Sequence, residues 1–315
     1  MVIGYFNLGM LRAAATLHGV VSPGDLWSAW SFEPATVLAL GATAFAYALG
    51  TYRVWHAASV GRGIRRRDAW AFGVGWLLLV LSQVSPLHAL SEVLFSAHMV
   101  QHEVLMTLAA PLLVLGKPLI AFVWALSPRW RRITGDWSGS RPVAATWNVL
   151  THPLAAFLFH GAAIWIWHLP SLYDATVSSE WVHTAQHMSF LATALLFWWV
   201  VLEPLRAHRN PLVAVAVLFA TVLHTGALGA LLTLTSRVLY PAYAATSATW
   251  GLSAVDDQQL GGIIMWVPGS LAYVVFGLLL GARAIHGSEQ RAVAGVSRDR
   301  SAGVAQEPRL RRITP

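Results

Sequence analysis

The 315-residue chain has no cysteine and a single lysine, Lys117. Only 11% of its residues are charged, against 56% hydrophobic. Without cysteine there are no disulfides, thiolate metal sites, iron–sulfur clusters or cysteine nucleophiles, so any metal must rest on His, Met, Asp or Glu. Soluble domains carry roughly 25% charged residues. The shortage of charge therefore sets aside a soluble enzyme, a disordered chain and a secreted scaffold, and leaves a polytopic membrane protein. No period of 20–50 residues repeats along the chain.

A helical span needs about 20 mostly apolar residues. Seven stretches qualify, at 34–52, 69–88, 92–115, 144–168, 181–203, 211–234 and 259–282. The third runs on past Gly116-Lys117-Pro118 into the apolar PLIAFVWAL, which blurs its inner end, and Pro111 is a candidate kink within it. Basic residues set the orientation. The connections at 53–68, 117–141 and 205–210, together with the tail from Arg283, hold 19 of the 21 basic residues; only Arg12 and Arg237 fall on the other side. The expectation is an all-α, seven-transmembrane-helix bundle with its N-terminus outside and its C-terminus cytoplasmic. It divides into an extracytoplasmic segment 1–33, a membrane domain 34–285 and a basic, disordered cytoplasmic tail 286–315. Trp27, Trp30 and Phe32 are expected along the headgroup layer. No removable signal peptide is expected, because no basic residue precedes the first apolar stretch. The formal charge of +7 is read as topology and lipid attraction, with membrane lipids as partners and no nucleic acid.

Thirteen histidines are many for this composition. His56, His208 and His286 sit beside arginines at inner ends and read as interfacial residues. Eight others map to the outer half or the middle of spans. His98 and His102 are four apart in AHMVQHEVLM, as are His183 and His187 in WVHTAQHMSF, so each pair shares a helical face. His88 and His168 lie at outer mouths, with Asp256 and Asp257 before the last span. His160 and His224 lie deeper, and Met265 sits two turns into the seventh span. This reads as a rim tier of His88, His168, His183, Asp256 and Asp257 over a deeper tier of His98, His102, His160, His187 and His224. Ionisable groups at membrane depth face protein or a wet cavity, and histidines at matching depth on several helices point to a metal or haem site. Imidazole with Met99, Met106, Met188 or Met265 nearby favours copper or zinc. Four readings stay open: copper handling, a zinc-dependent intramembrane amide or ester hydrolase, b-type haem bound by paired histidines, and a structural scaffold whose histidines only hydrogen-bond between helices. His102-Glu103 opens like HExxH, but position 106 is Met, so the zinc-protease pair is absent.

Three segments carry a resemblance: AHMVQHEVLMTLAAPLLVLGKP (97–118), WIWHLPSLYDATVSSEWVHTAQHMSFLATALLFWWV (165–200) and DDQQLGGIIMWVPGSL (256–271). Their HMxQH, WHxP, HxxxH and DQQLGG patterns, in this order, resemble the CtaG family of bacterial cytochrome c oxidase assembly factors over about 34–285. The resemblance implies a multi-pass plasma-membrane protein needed to form active haem–copper oxidase, with no turnover of its own. The matching positions are His98, His102, His168, His183, His187, Asp257 with Gln258 and Gln259, and Met265. The expected cargo is copper, received from an extracytoplasmic donor and passed to oxidase subunits.

Overall fold

The computed structural model describes residues 21–202 and 211–286, and among these there is no strand. The expectations that rest on Arg12, on 205–210 and on the tail beyond 286 lie outside the described residues. After a short turn at Leu26–Ser28, helix α1 (Pro34–Ala58) begins where Pro34 occupies the first turn and the Glu33 carboxylate accepts from Ala35 N at 3.1 Å and Thr36 N at 2.7 Å. The helices that follow are α2 (Arg66–Val84), α3 (Pro86–Ser91), α4 (Phe95–Leu115), α5 (Pro118–Ala125), α6 (Pro128–Ser138) and α7 (Arg141–Leu150). Then come α8 (Pro153–Trp167), α9 (Pro170–Ser178), α10 (Glu180–Val201), α11 (Leu212–Leu234) and α12 (Ala254–His286).

Five of these, α1, α4, α10, α11 and α12, are long and apolar enough to cross a membrane. A sixth span results if α7 and α8 are counted as one bent pair. The helix α2 falls outside that set; it opens on Arg66, Arg67 and Asp68. The bundle is inside-out relative to a water-soluble one. Gln101, Gln186, Asp257 and Thr221 have no exposure, while Phe45, Trp70, Phe219 and Leu278 lie largely on the outside. Apolar helices with this distribution mark a membrane protein.

Prolines redraw several expected boundaries. The fourth stretch, expected as one span from 144, breaks at His152-Pro153 and bends by 64°. Proline lacks the N–H that an unbroken helix would use, and its ring clashes with the preceding turn. The second stretch stops at Val84, and Ser85 caps α3 through Leu87 N, which moves His88 off the second span. The segment 117–141, expected as a connection, folds into α5, α6 and the start of α7. Lys117 turns the chain with φ of +54°, and its Nζ sits 2.7 Å from Asp68 at the start of α2. Beside it, α5 lies so close to α1 that a Cβ at Gly50 would collide with the Ala121 backbone. Arg53 closes the far end of α5 by donating to the Ala125 and Leu126 carbonyls at 2.6 and 3.1 Å. Pro111 adjoins a π turn at Val104–Ala109, and Pro268 lies inside a second at Met265–Gly269. Wider turns accommodate the missing proline donors.

Candidate metal centre

The centre forms where α4 and α10 face each other, bordered by Tyr173 of α9 and Tyr243 of the turn Pro241–Tyr243, both in contact with His98. The i,i+4 spacing puts His98 and His102 on one face of α4, and His183 and His187 on one face of α10. All four rings meet. His98 lies 5.1 Å from His183 and 5.7 Å from His187 between ring centroids, and His102 lies 5.0 Å from His187. One nitrogen from each of His98, His183 and His187 falls within 4.8 Å of the others. His102 Nε2 is 2.9 Å from His98 Nε2. His88 stacks on His183 at 5.9 Å.

Hydrogen bonds assign the tautomers. The Tyr243 hydroxyl donates to Ser91 O at 3.3 Å, so its oxygen is left to accept from His98 Nδ1–H at 2.9 Å. His187 Nδ1–H donates to Gln83 Oε1 at 3.2 Å, and His168 Nδ1–H to Ile164 O at 2.7 Å. Each of these three rings therefore spends its proton on a protein acceptor and leaves an Nε2 lone pair. Metal-binding histidines are held in this way. In His168 and His187 that Nε2 is shut from solvent and has no partner, and the same holds for the Nε2 of His183. Buried polar atoms are rarely left so, and three imidazoles within one ion's reach give the donor set that copper or zinc takes.

Asp257 holds the helix that carries half the centre. Its carboxylate accepts from Phe95 N at 2.8 Å, Ser96 N at 3.0 Å and Ser96 Oγ at 2.5 Å, satisfying the open first turn of α4. Asp256 instead caps its own helix with Ser253. Gln258 accepts from Leu239 N at 2.7 Å and donates to Arg237 O, while Gln259 donates to Thr235 O. The DDQQ run is thus a latch that ties α4 and the 235–239 connection to α12.

Of the expected two tiers, the structure gathers His98, His102, His183 and His187, with His168 bordering them through Tyr173 and Phe190. His160, His224, Asp256, Asp257 and Met265 stand outside the gathered rings. His160 pairs with Thr193 and Tyr273, at 3.2 and 3.4 Å. His224 accepts from Trp165 Nε1 at 3.3 Å, and Met265 packs in the apolar core. The reason is helical phase: equal depth does not make two side chains face the same neighbour. Sequence reading missed Tyr243, Gln83 and Gln186. Gln186 is fully buried with both amide atoms unpaired, and a glutamine inside each HxxxH pair, Gln101 and Gln186, was the available signal.

Fold and site together define a helical membrane protein that gathers imidazoles from two helices around a small buried space. The sequence profile of the cytochrome c oxidase caa3 assembly factor (Caa3_CtaG) matches residues 45–286, and the chain belongs to that family. It is also similar to uncharacterized proteins of Mycobacterium bovis and Mycobacterium tuberculosis, each 30% identical over 257 residues, covering 75% of this chain and 36% of the relative. An uncharacterized protein of Mycobacterium leprae is 27% identical over 268 residues, covering 79% of this chain and 38% of its own length. The chain thus spans well under half the length of these curated relatives. No solved structure matches it.

Proposed function

We propose that this protein assists assembly of a haem–copper oxidase by holding copper as cargo at His98, His183 and His187, with His102 beside them. The observation that carries the reading is the set of three imidazoles whose nitrogens lie within 4.8 Å of one another, in a chain of the caa3 assembly family. His102 hydrogen-bonds the His98 nitrogen that an ion would take, so its ring must yield when the ion enters and is the natural fourth donor. His183 is less buried than the other two and is the entry ligand. The rings touch edge to face at 4.3 to 5.0 Å, which leaves no slot for a porphyrin and favours a small ion.

In this reading α2 joins the other spans to make a seven-helix bundle in the bacterial plasma membrane. The histidine end faces outward and the arginine-rich end inward. Copper(I) arrives from an extracytoplasmic donor and leaves for an oxidase subunit, with no bond made or broken in a substrate, so the protein is a metallochaperone rather than an enzyme. The test is metal analysis of the purified full-length protein after exposure to Cu(I) and to Zn(II), beside H98A/H102A and H183A/H187A variants. Copper retained by wild type and lost from both variants supports the reading. Zinc retained in its place, with hydrolysis of a lipid amide, replaces it with the hydrolase.

A further inference from the structure

At the end of the bundle away from the histidines, α6 presents an amphipathic surface, while the neighbouring α7 sets Trp147 against Trp199 of α10. Neither helix buries a single residue. On α6, Trp130, Ile133 and Trp137 follow one another at spacings of three and four, so they share one face, and they are 59%, 43% and 65% exposed. Arg129, Arg131 and Arg132 flank that face, against one acid, Asp136. The surface between Pro128, Arg131 and Arg132 is a shallow, open depression. Arg131 is held over the Trp124 ring at 4.2 Å, and its Nε is shut from solvent without a hydrogen-bond partner.

We propose that α6 lies in the plane of the membrane and binds anionic phospholipid, its indoles in the acyl boundary and its arginines on the headgroup phosphates. Charge decides the occupant. The chain's own segment 287–315 carries six arginines against three acids, so it repels this surface, whereas an anionic headgroup complements it. Arginine is also the side chain whose planar donors match phosphate, and helices with basic flanks and Trp on the apolar face lie at membrane interfaces. The helix sits where this is possible. It follows α5, which Lys117 and Arg53 tie to the starts of α2 and the end of α1, so it reaches the interface at the bundle's arginine-rich end.

The absence of cysteine provides the test, because a single introduced cysteine carries a spin label at one known position. Full-length I133C and G135C, on opposite faces of α6 and with open space around an added side chain at 135, are labelled separately and reconstituted in vesicles of phosphatidylcholine with and without phosphatidylglycerol. Collision with oxygen and with a water-soluble nickel chelate reports depth. The expected result is a label at 133 that meets oxygen and is shielded from nickel, with the reverse at 135. Phosphatidylglycerol retained in native mass spectrometry falls about 30-fold in R129Q/R132Q, at roughly fivefold per arginine, with copper content unchanged. Equal nickel access at 133 and 135 in phosphatidylglycerol vesicles overturns the proposal, as does unchanged lipid retention in R129Q/R132Q. Dipolar coupling between 133 labels on two molecules also overturns it, since a second copy would then cover the face.

Discussion

Each end of this bundle rests on one buried aspartate, and the two are satisfied in opposite ways. Asp68, at the arginine-rich end, accepts from Arg65 N at 3.0 Å and pairs with Lys117 at 2.7 Å. Asp257, at the histidine end, has no cation among the described residues; it takes two backbone N–H groups and a serine hydroxyl. Near Asp68, Trp55 Nε1 bonds Ile64 O at 2.7 Å and Tyr47 bonds Gly116 O at 2.8 Å, while Thr51 Oγ1 stays without a partner. Around Asp257 the backbone is equally well tied, yet His102 Nδ1, His168 Nε2, His183 Nε2, His187 Nε2 and the Gln186 amide are left bare. A network built on an ion pair and carbonyl acceptors holds a shape. A rigid frame around unsatisfied imidazoles holds a shape and keeps an affinity in reserve.

The comparison is broken most directly at the ligands. H98A/H187A is expected to abolish copper retention while circular dichroism stays near wild type, although Tyr243, His102 and Gln83 lose their ring partners and thermal stability falls; loss of fold instead would make the cluster a structural core. Next in size is D257A, which leaves two N–H groups of α4 and Ser96 Oγ without their acceptor. About 2–4 kcal/mol of stability should go with them, read by denaturation in mild detergent, and copper affinity should fall too because α4 loses its anchor. Removing only the tautomer control, Y243F should leave stability within about 1 kcal/mol and weaken copper binding about tenfold, measured by competition with a chromophoric Cu(I) chelator. At the opposite end, G50A forces α5 off α1 and should cost about 1–3 kcal/mol with copper affinity unchanged. A shift in affinity there would show that the two ends are coupled.

The smallest effect concerns Asp174 on α9, over the centre. Burial pushes its carboxyl up from the ordinary aspartate range, partly offset by the Ala242 N–H. A raised folded-state value means that the folded protein binds the proton more tightly, so stability falls as pH rises from the unfolded value through the folded one. D174N should remove that slope and be slightly more stable near neutral pH, seen as a thermal midpoint that no longer drops across the window.

The apolar stretches, the arginine clustering and the two HxxxH pairs were all legible in the linear chain, because each depends on local periodicity. So was the family, through motifs that stay in order whatever the packing. The break at Pro153 was legible too but outweighed by the hydropathy around it, which runs unbroken through a bend. What the chain could not reveal was rotation. His160, His187 and His224 sit at comparable depth in sequence terms, yet only His187 turns toward α4, because helix phase relative to a neighbour is set by packing contacts far apart in sequence. The same holds for Asp257, a plausible ligand by composition that the fold commits to the first turn of α4, 161 residues away, where unpaired backbone donors demand an acceptor. Sequence alone determined a charge-poor, cysteine-free helical membrane chain with imidazoles in pairs. Tertiary structure decided which pairs meet, which nitrogens stay free and which carboxylate holds them in place, since burial leaves water unable to satisfy whatever the protein does not.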